Sequence, residues 1–409
     1  MLSSDGSLQV PRAARERRSW RPRDTGYYSR RELERQSGEY ESIIPIALAD
    51  WQPSIAAELV AELDDATSAL IDFDSYADRR LGTGDATLGP MAAILLRSES
   101  ASSSQIENLT TSARQLAMAE LGEPSAANSR TVVGNVRAME AALALADRLE
   151  ADTILQMHQA LLQHQEGMAE HAGKWRDELV WIGPGDAGPL TAEFVAPHHE
   201  HLPAALDDLV TFMARNDLPV LLHVAVAHAQ FETLHPFVDG NGRTGRALAQ
   251  AMLKAKRVVT RSTVPLSSGL LVDIDGYFAA LSAFREGDAA PIALRFAHAA
   301  LFAAATGVEL IDALADALED ARAKLTGVRS DAAAHRVLPL LIGQPIVTSG
   351  YLTRTLGINE VAAKRAVDTL VERDVLVETS GRSRNRTWAQ PGMLAALDRY
   401  ARGVRRGRR

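Results

Sequence analysis

Apolar residues recur at helical spacing along most of the chain. Leu59, Leu63 and Leu70 fall on one stripe of a helix, and Leu95 and Ile106 continue apolar spacing in a second one. Such spacing places side chains on one face, which the fold then buries. Comparable patterns predict further helices over 136–150, 152–162, 202–256 with one break, 276–284, 292–305 and 309–324. The chain is therefore predicted to be mainly α-helical.

One stretch departs from the helical pattern. Trp181 and Ile182 end a run of aromatic and β-branched residues, and a Gly- and Pro-rich segment follows at 183–189. Residues of these kinds beside a Gly/Pro turn favour a β-hairpin over a helix. We expect a hairpin inserted into a helical protein.

The two ends of the chain differ from its middle. Residues 1–40 contain many Arg, Ser, Asp and Glu and few large aliphatic side chains, which predicts a mobile arm. Near the other end, helical patterns over 348–356 and 359–373 precede a strand-like segment, a basic turn and a return strand. With a helix over 337–341 before them, these elements follow the order of a winged helix-turn-helix domain.

Composition and charge narrow the classes of protein. The 409-residue chain contains no cysteine, which excludes disulfides, cysteine zinc sites and a thiol nucleophile. No apolar run is long enough to cross a bilayer and the first residues are not signal-like, so we expect a cytoplasmic protein without membrane contact. The net charge is −8, yet residues 331–409 carry 14 Lys/Arg against 7 Asp/Glu. Any nucleic acid is expected to meet this basic end.

The strongest chemical signal is the sequence HPFVDGNGRTGR at residues 235–246. Gly240 and Gly242 let backbone N–H groups approach an anion closely, and Asn241 between them tolerates unusual backbone angles. Helix-forming residues follow directly, so a positive helix end points at the same anion. The pattern predicts a phosphate-binding loop.

Charged side chains add chemistry to this loop. Arg243 and Arg246, three residues apart, share one helix face and suit the oxygens of a polyphosphate. Asp239 supplies the hard carboxylate oxygen that Mg²⁺ prefers. His235 is able to accept a proton near neutral pH. Together these residues predict a nucleotide-transfer site, while Phe237 is interpreted as a core anchor that pins the loop.

The same twelve residues resemble the signature of the Fic (filamentation induced by cyclic AMP) family, H-P-F-x-D/E-G-N-G-R-x-x-R, at every fixed position. His228, Phe231 and Glu232 also resemble the helix that precedes it, and the resemblance spans roughly residues 40–305. It implies a Fic fold and a protein adenylyltransferase, or AMPylator. Such an enzyme transfers AMP from ATP to a Ser, Thr or Tyr hydroxyl of a target protein and releases pyrophosphate.

The resemblance also implies roles for individual residues. His235 would be the catalytic base, Asp239 would hold Mg²⁺, and Trp181 with Ile182 would form the flap that docks the target protein by strand addition. Tyr277 falls where the family often has aromatics near the nucleotide, although core packing is an equal alternative. Implied nucleotide-binding residues are Gly240, Asn241, Gly242, Arg243, Thr244, Gly245, Arg246 and Tyr277.

A second motif bears on regulation. Residues 103–108, SSQIEN, match the family's inhibitory pattern S/T-x-x-x-E-G/N, with Ser103 and Glu107 at the fixed positions. The resemblance implies that the Glu107 carboxylate pairs with Arg246 and keeps that arginine from the γ-phosphate of ATP. An ordinary capping box or an exposed glutamate is the alternative.

The resulting domain prediction combines a catalytic core with a separate C-terminal module. A DNA-binding regulator whose core only senses nucleotide, a Fic enzyme with another transfer and a de-AMPylating enzyme remain alternatives. The basic residues of the winged helix support contact with DNA, and such folds also serve as protein-docking or dimer modules. These residues are Lys364, Arg365, Arg382, Arg384 and Arg386. DNA, another protein and a second copy of the chain are therefore the alternative partners of this region. The predicted divisions are an arm at 1–40, an N-terminal helical region with the inhibitory motif at 41–148, a Fic core at 149–305, a linking helix at 306–330, a winged helix at 331–395 and a basic tail at 396–409.

Overall fold

The structure, a computed structural model, describes residues 8–22, 28–81, 88–183, 187–379 and 386–406. Most of these residues lie in helices, which confirms the mainly α prediction. Within these ranges no helix is both long and apolar enough to span a membrane. The basic turn with Arg382 and Arg384 lies outside the described residues.

The helices are α1 Arg30–Arg35, α2 Ala57–Leu81, α3 Leu88–Ile106, α4 Ala113–Glu120, α5 Ala127–Ala144, α6 Ala151–Leu162, α7 Leu202–Met213, α8 Val220–Leu234, α9 Asn241–Ala255, α10 Leu266–Val272, α11 Ile274–Arg285, α12 Ala290–Lys324, α13 Ala333–Gly343, α14 Ser349–Leu356, α15 Glu360–Glu372 and α16 Pro391–Arg406. The strands are β1 Ala14–Trp20, β2 Gly38–Ile44, β3 Trp181–Ile182, β4 Phe194–Val195, β5 Ile346–Val347, β6 Val377–Glu378 and β7 Trp388–Ala389.

One compact unit is built around α8 and contains the residues up to 65 together with 141–256 and 275–297. Every residue of α8 from Leu221 to Leu234 is buried, as expected of a helix surrounded on all sides. Helices α7 and α9 pack against α8, and α6 packs against α9. The loop between α8 and α9, which carries the predicted site, is thus held at both ends by the core.

Two β-hairpins complete this unit. Strands β3 and β4 pair antiparallel with Trp181 opposite Val195, which confirms the predicted hairpin. Strands β1 and β2 also pair antiparallel, with Ala14 opposite Ile44. The expectation of a mobile arm is therefore wrong for residues 14–22 and 28–40. The signal was missed because β1 is mostly charged and its partner strand lies beyond an intervening helix.

The second compact unit contains residues 66–140, 257–274 and those from 298 onward. Helix α3 packs against α10 and α13, and strands β5, β7 and β6 form an antiparallel sheet in that order. Ala117 of α4, Ile346 of β5 and Ala389 of β7 are buried in one cluster. The C-terminal region therefore shares a core with α3 and α4, whereas the sequence predicted a separate module.

Within that region the local structure follows the sequence closely. Thr348 caps α14 by accepting a 3.0 Å hydrogen bond from the Tyr351 amide, and Asn359 caps α15 through the Ala362 amide at 2.8 Å. The element order of helix, strand, two helices and two strands agrees with a winged helix, and that assignment stays a prediction.

Helix α12 runs without a break through the predicted boundary at 305/306. Two helices, over 292–305 and 309–324, were predicted here, and Gly307 lies between them. The glycine has another purpose, since a Cβ at this position would lie 2.5 Å from Cε2 of Phe73. Gly307 permits close packing inside a continuous helix, and the linking helix at 306–330 is a continuation of α12 as far as Lys324.

Candidate active site

Two residues in left-handed backbone conformation bracket the loop between α8 and α9. His235 ends α8 with φ 46° and ψ 58°, and its amide donates to the Phe231 carbonyl at 3.0 Å. Gly240 precedes α9 with φ 78°. A left-handed conformation is comfortable for glycine and costly for histidine, so the surrounding contacts must stabilise His235.

Asn241 closes the loop with its side chain. Its Oδ1 accepts from the Phe237 amide and its Nδ2 donates to the Phe237 carbonyl, both at 2.8 Å. The Phe237 ring is buried and stacks on His158, with centroids 3.6 Å apart, and on Trp175 at 4.9 Å. Phe237 is thus confirmed as a core anchor. Asn241 fixes the loop geometry, and its contact with phosphate stays a prediction.

His158 supports the loop from α6, a role that the sequence analysis missed. Its Nδ1 accepts from the Gly173 amide at 3.0 Å, so the ring proton lies on Nε2. Nε2 then donates to the backbone carbonyl of Asp239 at 3.0 Å. Burial lowers the pKa of His158 to about 4, which keeps the ring neutral in this role.

Arg176 is the second supporting residue that the sequence analysis missed. Its buried guanidinium donates four hydrogen bonds to backbone carbonyls: to His235 at 2.7 Å, Leu234 at 3.3 Å, Glu178 at 2.7 Å and Pro197 at 2.6 Å. The first two carbonyls belong to the C-terminal end of α8, where the helix dipole favours a cation. Burial lowers the pKa of Arg176 to about 10, so the side chain remains charged at neutral pH.

The His235 ring is held as a neutral imidazole. Its Nδ1 lies 3.4 Å from the Glu232 carbonyl, an arrangement that places the proton on Nδ1 and the lone pair on Nε2. Burial lowers the pKa of His235 to about 4, and the charges of Arg176 and Arg285 act in the same direction. Nε2 is therefore an available proton acceptor over a wide pH range.

Asp239 is the carboxylate nearest along the chain to the start of α9. Nη2 of Arg243 lies 3.3 and 3.2 Å from its two oxygens, and Gln165 Nε2 lies 3.4 Å from Oδ2. The Asp239 side chain remains 38% exposed, whereas that of Arg243 is buried. An exposed hard oxygen donor at the mouth of a phosphate-binding loop fits Mg²⁺, which takes its other ligands from phosphates and water. Among the described residues, no cluster of three or more His, Cys, Asp or Glu offers a protein-only metal cage.

The first turn of α9 contains the remaining residues of the predicted phosphate-binding site. The first amides of a helix lack intrahelical acceptors, and Arg243 and Arg246 project from this turn with mostly buried side chains. Thr244 is buried and its amide donates to the Gly240 carbonyl at 3.0 Å. Gly245 lies against Phe231 and Glu232 of α8, which is a packing position.

Tyr277 lies in the interior of the unit. Its hydroxyl is 2.7 Å from Nε2 of His228, and the ring is 1% exposed, whereas neighbouring Phe278 is 49% exposed. Burial lowers the pKa of His228 to about 3, so His228 is neutral. This contact favours the packing interpretation of Tyr277, and its contact with nucleotide stays a prediction.

The predicted flap consists here of residues 181–183 and 187–195. Trp181 is half-buried and Ile182 is exposed, and Phe194 of β4 meets the His235 ring edge-on at a centroid distance of 6.2 Å. The Arg285 guanidinium lies over the Phe194 ring, 3.8 Å from its centroid. The flap thus reaches the candidate catalytic histidine through Phe194.

The inhibitory motif lies in the second unit, at the end of α3. Ser103 is buried in the last full turn, and Asn108 has φ 63°. The amides of Asn108 and Leu109 donate to Gln105 and Ser104, which ends the helix in a left-handed cap. This geometry explains why the pattern asks for Gly or Asn after Glu107. The pairing of Glu107 with Arg246 stays a prediction.

His235 at the end of α8 and the first turn of α9 thus lie at the two ends of the predicted phosphate-binding loop, and comparisons with known proteins show which family this segment resembles. Residues 148–253 match the Fic/DOC family model. The match covers about a quarter of the chain, and over this segment the chain is similar to Fic family proteins.

Two curated relatives carry an activity in their names. Protein adenylyltransferase Fic of Nematostella vectensis is 27% identical over 154 residues, which cover 37% of this chain and 32% of the relative. Protein adenylyltransferase fic-1 of Caenorhabditis elegans is 30% identical over 107 residues, 26% of this chain and 20% of the relative. The chain thus spans a third or less of the length of these relatives.

A solved structure shares the fold. A Fic family protein from Desulfovibrio desulfuricans G20 is 20% identical, with a TM-score of 0.51 over 83% of this chain and 98% of the other. The Fic fold predicted from the sequence is thereby confirmed.

Proposed function

We propose that this chain is a protein adenylyltransferase that transfers AMP from ATP to a Ser, Thr or Tyr hydroxyl of a target protein and releases pyrophosphate. The observation that carries the proposal is a neutral His235 whose lone pair lies on Nε2, placed directly before the anion-binding start of α9. The names of the two curated relatives support the same activity.

In the proposed reaction, Nε2 of His235 takes the proton of the target hydroxyl as its oxygen attacks the α-phosphorus of ATP. The bond from the α-phosphorus to the bridging oxygen breaks, and pyrophosphate leaves. The backbone amides of the first turn of α9 bind phosphate oxygens, and Arg243 and Arg246 hold the outer phosphates. Positioning and neutralisation of charge supply most of the acceleration.

Asp239 is the residue proposed to hold Mg²⁺. A bound Mg²⁺ neutralises charge on the α- and β-phosphates. Arg243, which already contacts Asp239, would keep the carboxylate oriented toward the loop. Gln165 contributes a second orienting hydrogen bond to the same oxygen pair.

Self-inhibition forms part of the proposal. Glu107 would pair with Arg246 and prevent that arginine from holding the γ-phosphate, so the resting enzyme would be largely off. The left-handed end of α3 at Asn108 supports a defined position for Glu107. The proposal predicts that Glu107→Gly is more active than the parent.

The charges described on α15 and at Arg386 do not add support for contact of the C-terminal region with DNA. The positive charges of Lys364 and Arg365 on α15 are balanced by negative charges on the same helix. The acidic residues are Glu360, Asp368 and Glu372. Arg386 forms an ion pair with Glu378 and stacks over Trp388 at 5.2 Å. A balanced helix surface does not favour the phosphate backbone of DNA.

The test uses the Glu107→Gly chain with Mg²⁺ and ATP, UTP or GTP, each labelled at the α-phosphate. Protein-bound label from ATP, confirmed as AMP by mass spectrometry, is the expected result. The same chain with His235→Ala is the control for the base. Absence of label from ATP in the Glu107→Gly chain would refute the proposal, and preferential label from UTP or GTP would change the transferred group.

A further inference from the structure

The N-terminal hairpin, described over residues 14–22 and 28–44, is fastened to the flap at its outer end by Trp20. The indole Nε1 donates to the Ala187 carbonyl at 3.0 Å, and the ring meets Trp181 edge-on with centroids 5.4 Å apart. The indole also packs so closely on Gly188 that a Cβ there would lie 2.5 Å from Nε1. Trp20 therefore contacts both sides of the flap.

Gln36 makes a second connection through a buried amide. Its Oε1 accepts from the Leu190 amide at 3.2 Å, and its Nε2 donates to Oγ1 of Thr191 at 2.9 Å. Gln36 is fully buried, although it follows the exposed helix α1. When both the oxygen and the nitrogen of a fully buried glutamine amide form hydrogen bonds with one neighbouring segment, they fix the position of that segment.

A third connection lies where the flap rejoins the helical core. Arg18 Nη2 is 3.0 Å from Glu200 Oε2, and Glu16 Oε1 is 3.0 Å from His201 Nε2. Arg18 and Glu16 also pair with each other at 3.1 Å. The hairpin thus spans the flap from its outer end to the helical turn at 199–201.

The flap, which the hairpin contacts, also contacts the candidate catalytic base, His235. Phe194 lies in the flap strand beside β2, between the His235 ring and the Arg285 guanidinium. A groove of about 240 Å³ opens beside Phe194. Its lining comes from β2, the flap and α11, and includes Glu41, Ser42, Glu193, Phe194, Ser282 and Arg285.

We propose that the N-terminal hairpin is the fixed support of the flap, with Trp20 and Gln36 as positioning residues that keep Phe194 beside His235. The inference rests on the proposed function, in which the flap docks the target protein. It extends that function, because it assigns target positioning to a segment outside the matched Fic domain, which begins at residue 148. Neither positioning residue touches the reacting atoms.

The test measures the flap and the reaction separately. Trp20→Ala and Gln36→Ala are each expected to increase amide exchange of residues 187–195 at least tenfold, with Leu190 most affected by Gln36→Ala because its amide loses its acceptor. In the Glu107→Gly background, with the His235→Ala chain supplied as acceptor protein, both variants should raise KM for the acceptor about tenfold. The Kd for ATP should stay within twofold.

Matched variants separate positioning from general destabilisation. Arg17→Ala removes an ion pair with Glu41 on the same hairpin and should change neither readout. Gln36→Glu keeps the acceptor for the Leu190 amide and should restore slow exchange there. Unchanged exchange of 187–195 in folded Trp20→Ala and Gln36→Ala, or an equal rise in Arg17→Ala, would overturn the inference. Faster exchange in the two variants, together with no label transfer by the Glu107→Gly chain itself, would instead refute the proposed function while the support role stands.

Discussion

Nε of Arg176 donates to the carbonyl oxygen of His235 at 2.7 Å, so a buried cation holds the backbone of the candidate catalytic histidine. The same guanidinium binds carbonyls at Leu234, Glu178 and Pro197. It therefore joins the end of α8 to segments on either side of the flap, and its charge disfavours a protonated His235.

Arg176→Gln should raise the pKa of His235 from about 4 by a small amount, because burial, the largest cause of the lowering, remains and only a nearby positive charge is removed. The loss of buried charge-assisted hydrogen bonds should also lower the free energy of unfolding by about 3 kcal/mol. NMR titration of the His235 ring and urea unfolding measure the two effects. Arg176→Lys, which keeps the charge but not the four-way geometry, should lose stability with little change in that pKa. An unchanged His235 pKa in folded Arg176→Gln would contradict the electrostatic role.

His235→Ala should abolish label transfer and leave ATP affinity within a few-fold, since the substitution removes the proton acceptor and not the phosphate-binding helix start. Single-turnover measurements of label transfer and equilibrium measurements of ATP binding separate the effect on chemistry from the effect on ATP affinity. Full transfer by His235→Ala would exclude His235 as the base.

Glu107→Gly should raise AMP transfer about ten- to a hundredfold, the range expected when one charge-assisted contact to the γ-phosphate becomes available. Arg246→Ala should be inactive with or without Glu107, so the two substitutions should be non-additive. Radiolabel transfer at saturating Mg²⁺ and ATP measures all four chains. Equal transfer by Glu107→Gly and the parent would make residues 103–108 an ordinary helix end.

Asn241→Ala should lower the free energy of unfolding by about 2 kcal/mol, because it leaves the buried amide and carbonyl of Phe237 without partners. Asn241→Asp keeps the acceptor for the Phe237 amide and should recover part of that loss near neutral pH. Urea unfolding of the three chains gives the comparison. No loss in Asn241→Ala would mean that the Phe237 stack alone holds the loop.

Stability should fall as pH drops from about 6.5 to about 4. Burial lowers the pKa of a set of histidines in the folded chain, so the unfolded chain takes up protons that the folded chain cannot. Each fully buried histidine of this set should lower the free energy of unfolding by roughly 3 kcal/mol as the pH falls over this range. Above pH 6.5 its effect on the free energy of unfolding is constant. Urea unfolding at pH 5 and pH 7.5 should show the difference, and His223→Gln should reduce it. The set is His158, His223, His228 and His235.

The candidate site was predictable where its geometry is local. Gly240, the helix start after it and the histidine before it lie within a few residues, so their spacing alone predicts the loop. Arg176 acts on a carbonyl 59 residues away and His158 on one 81 residues away. A single arginine or histidine carries no periodic signal that would reveal such partners.

The fold, like the site, was predictable where it depends on local sequence patterns and not where it depends on contacts distant in sequence. The helices with regular apolar spacing were predicted. One of them was wrongly divided at Gly307, where close packing against Phe73, and not a turn of the chain, requires glycine. Strand β1 was missed because its register depends on Gly38–Ile44, across a helix, and because its own residues are mostly charged.

The packing of α3 on α13 also constrains how the chain acquires its structure during synthesis. About 230 residues separate the end of α3 from the start of α13. At roughly 5 to 20 residues per second, α3 leaves the ribosome about 10 to 45 s before its C-terminal partner exists. The helix that carries Ser103 and precedes Glu107 is therefore among the last parts of the second unit to complete its core.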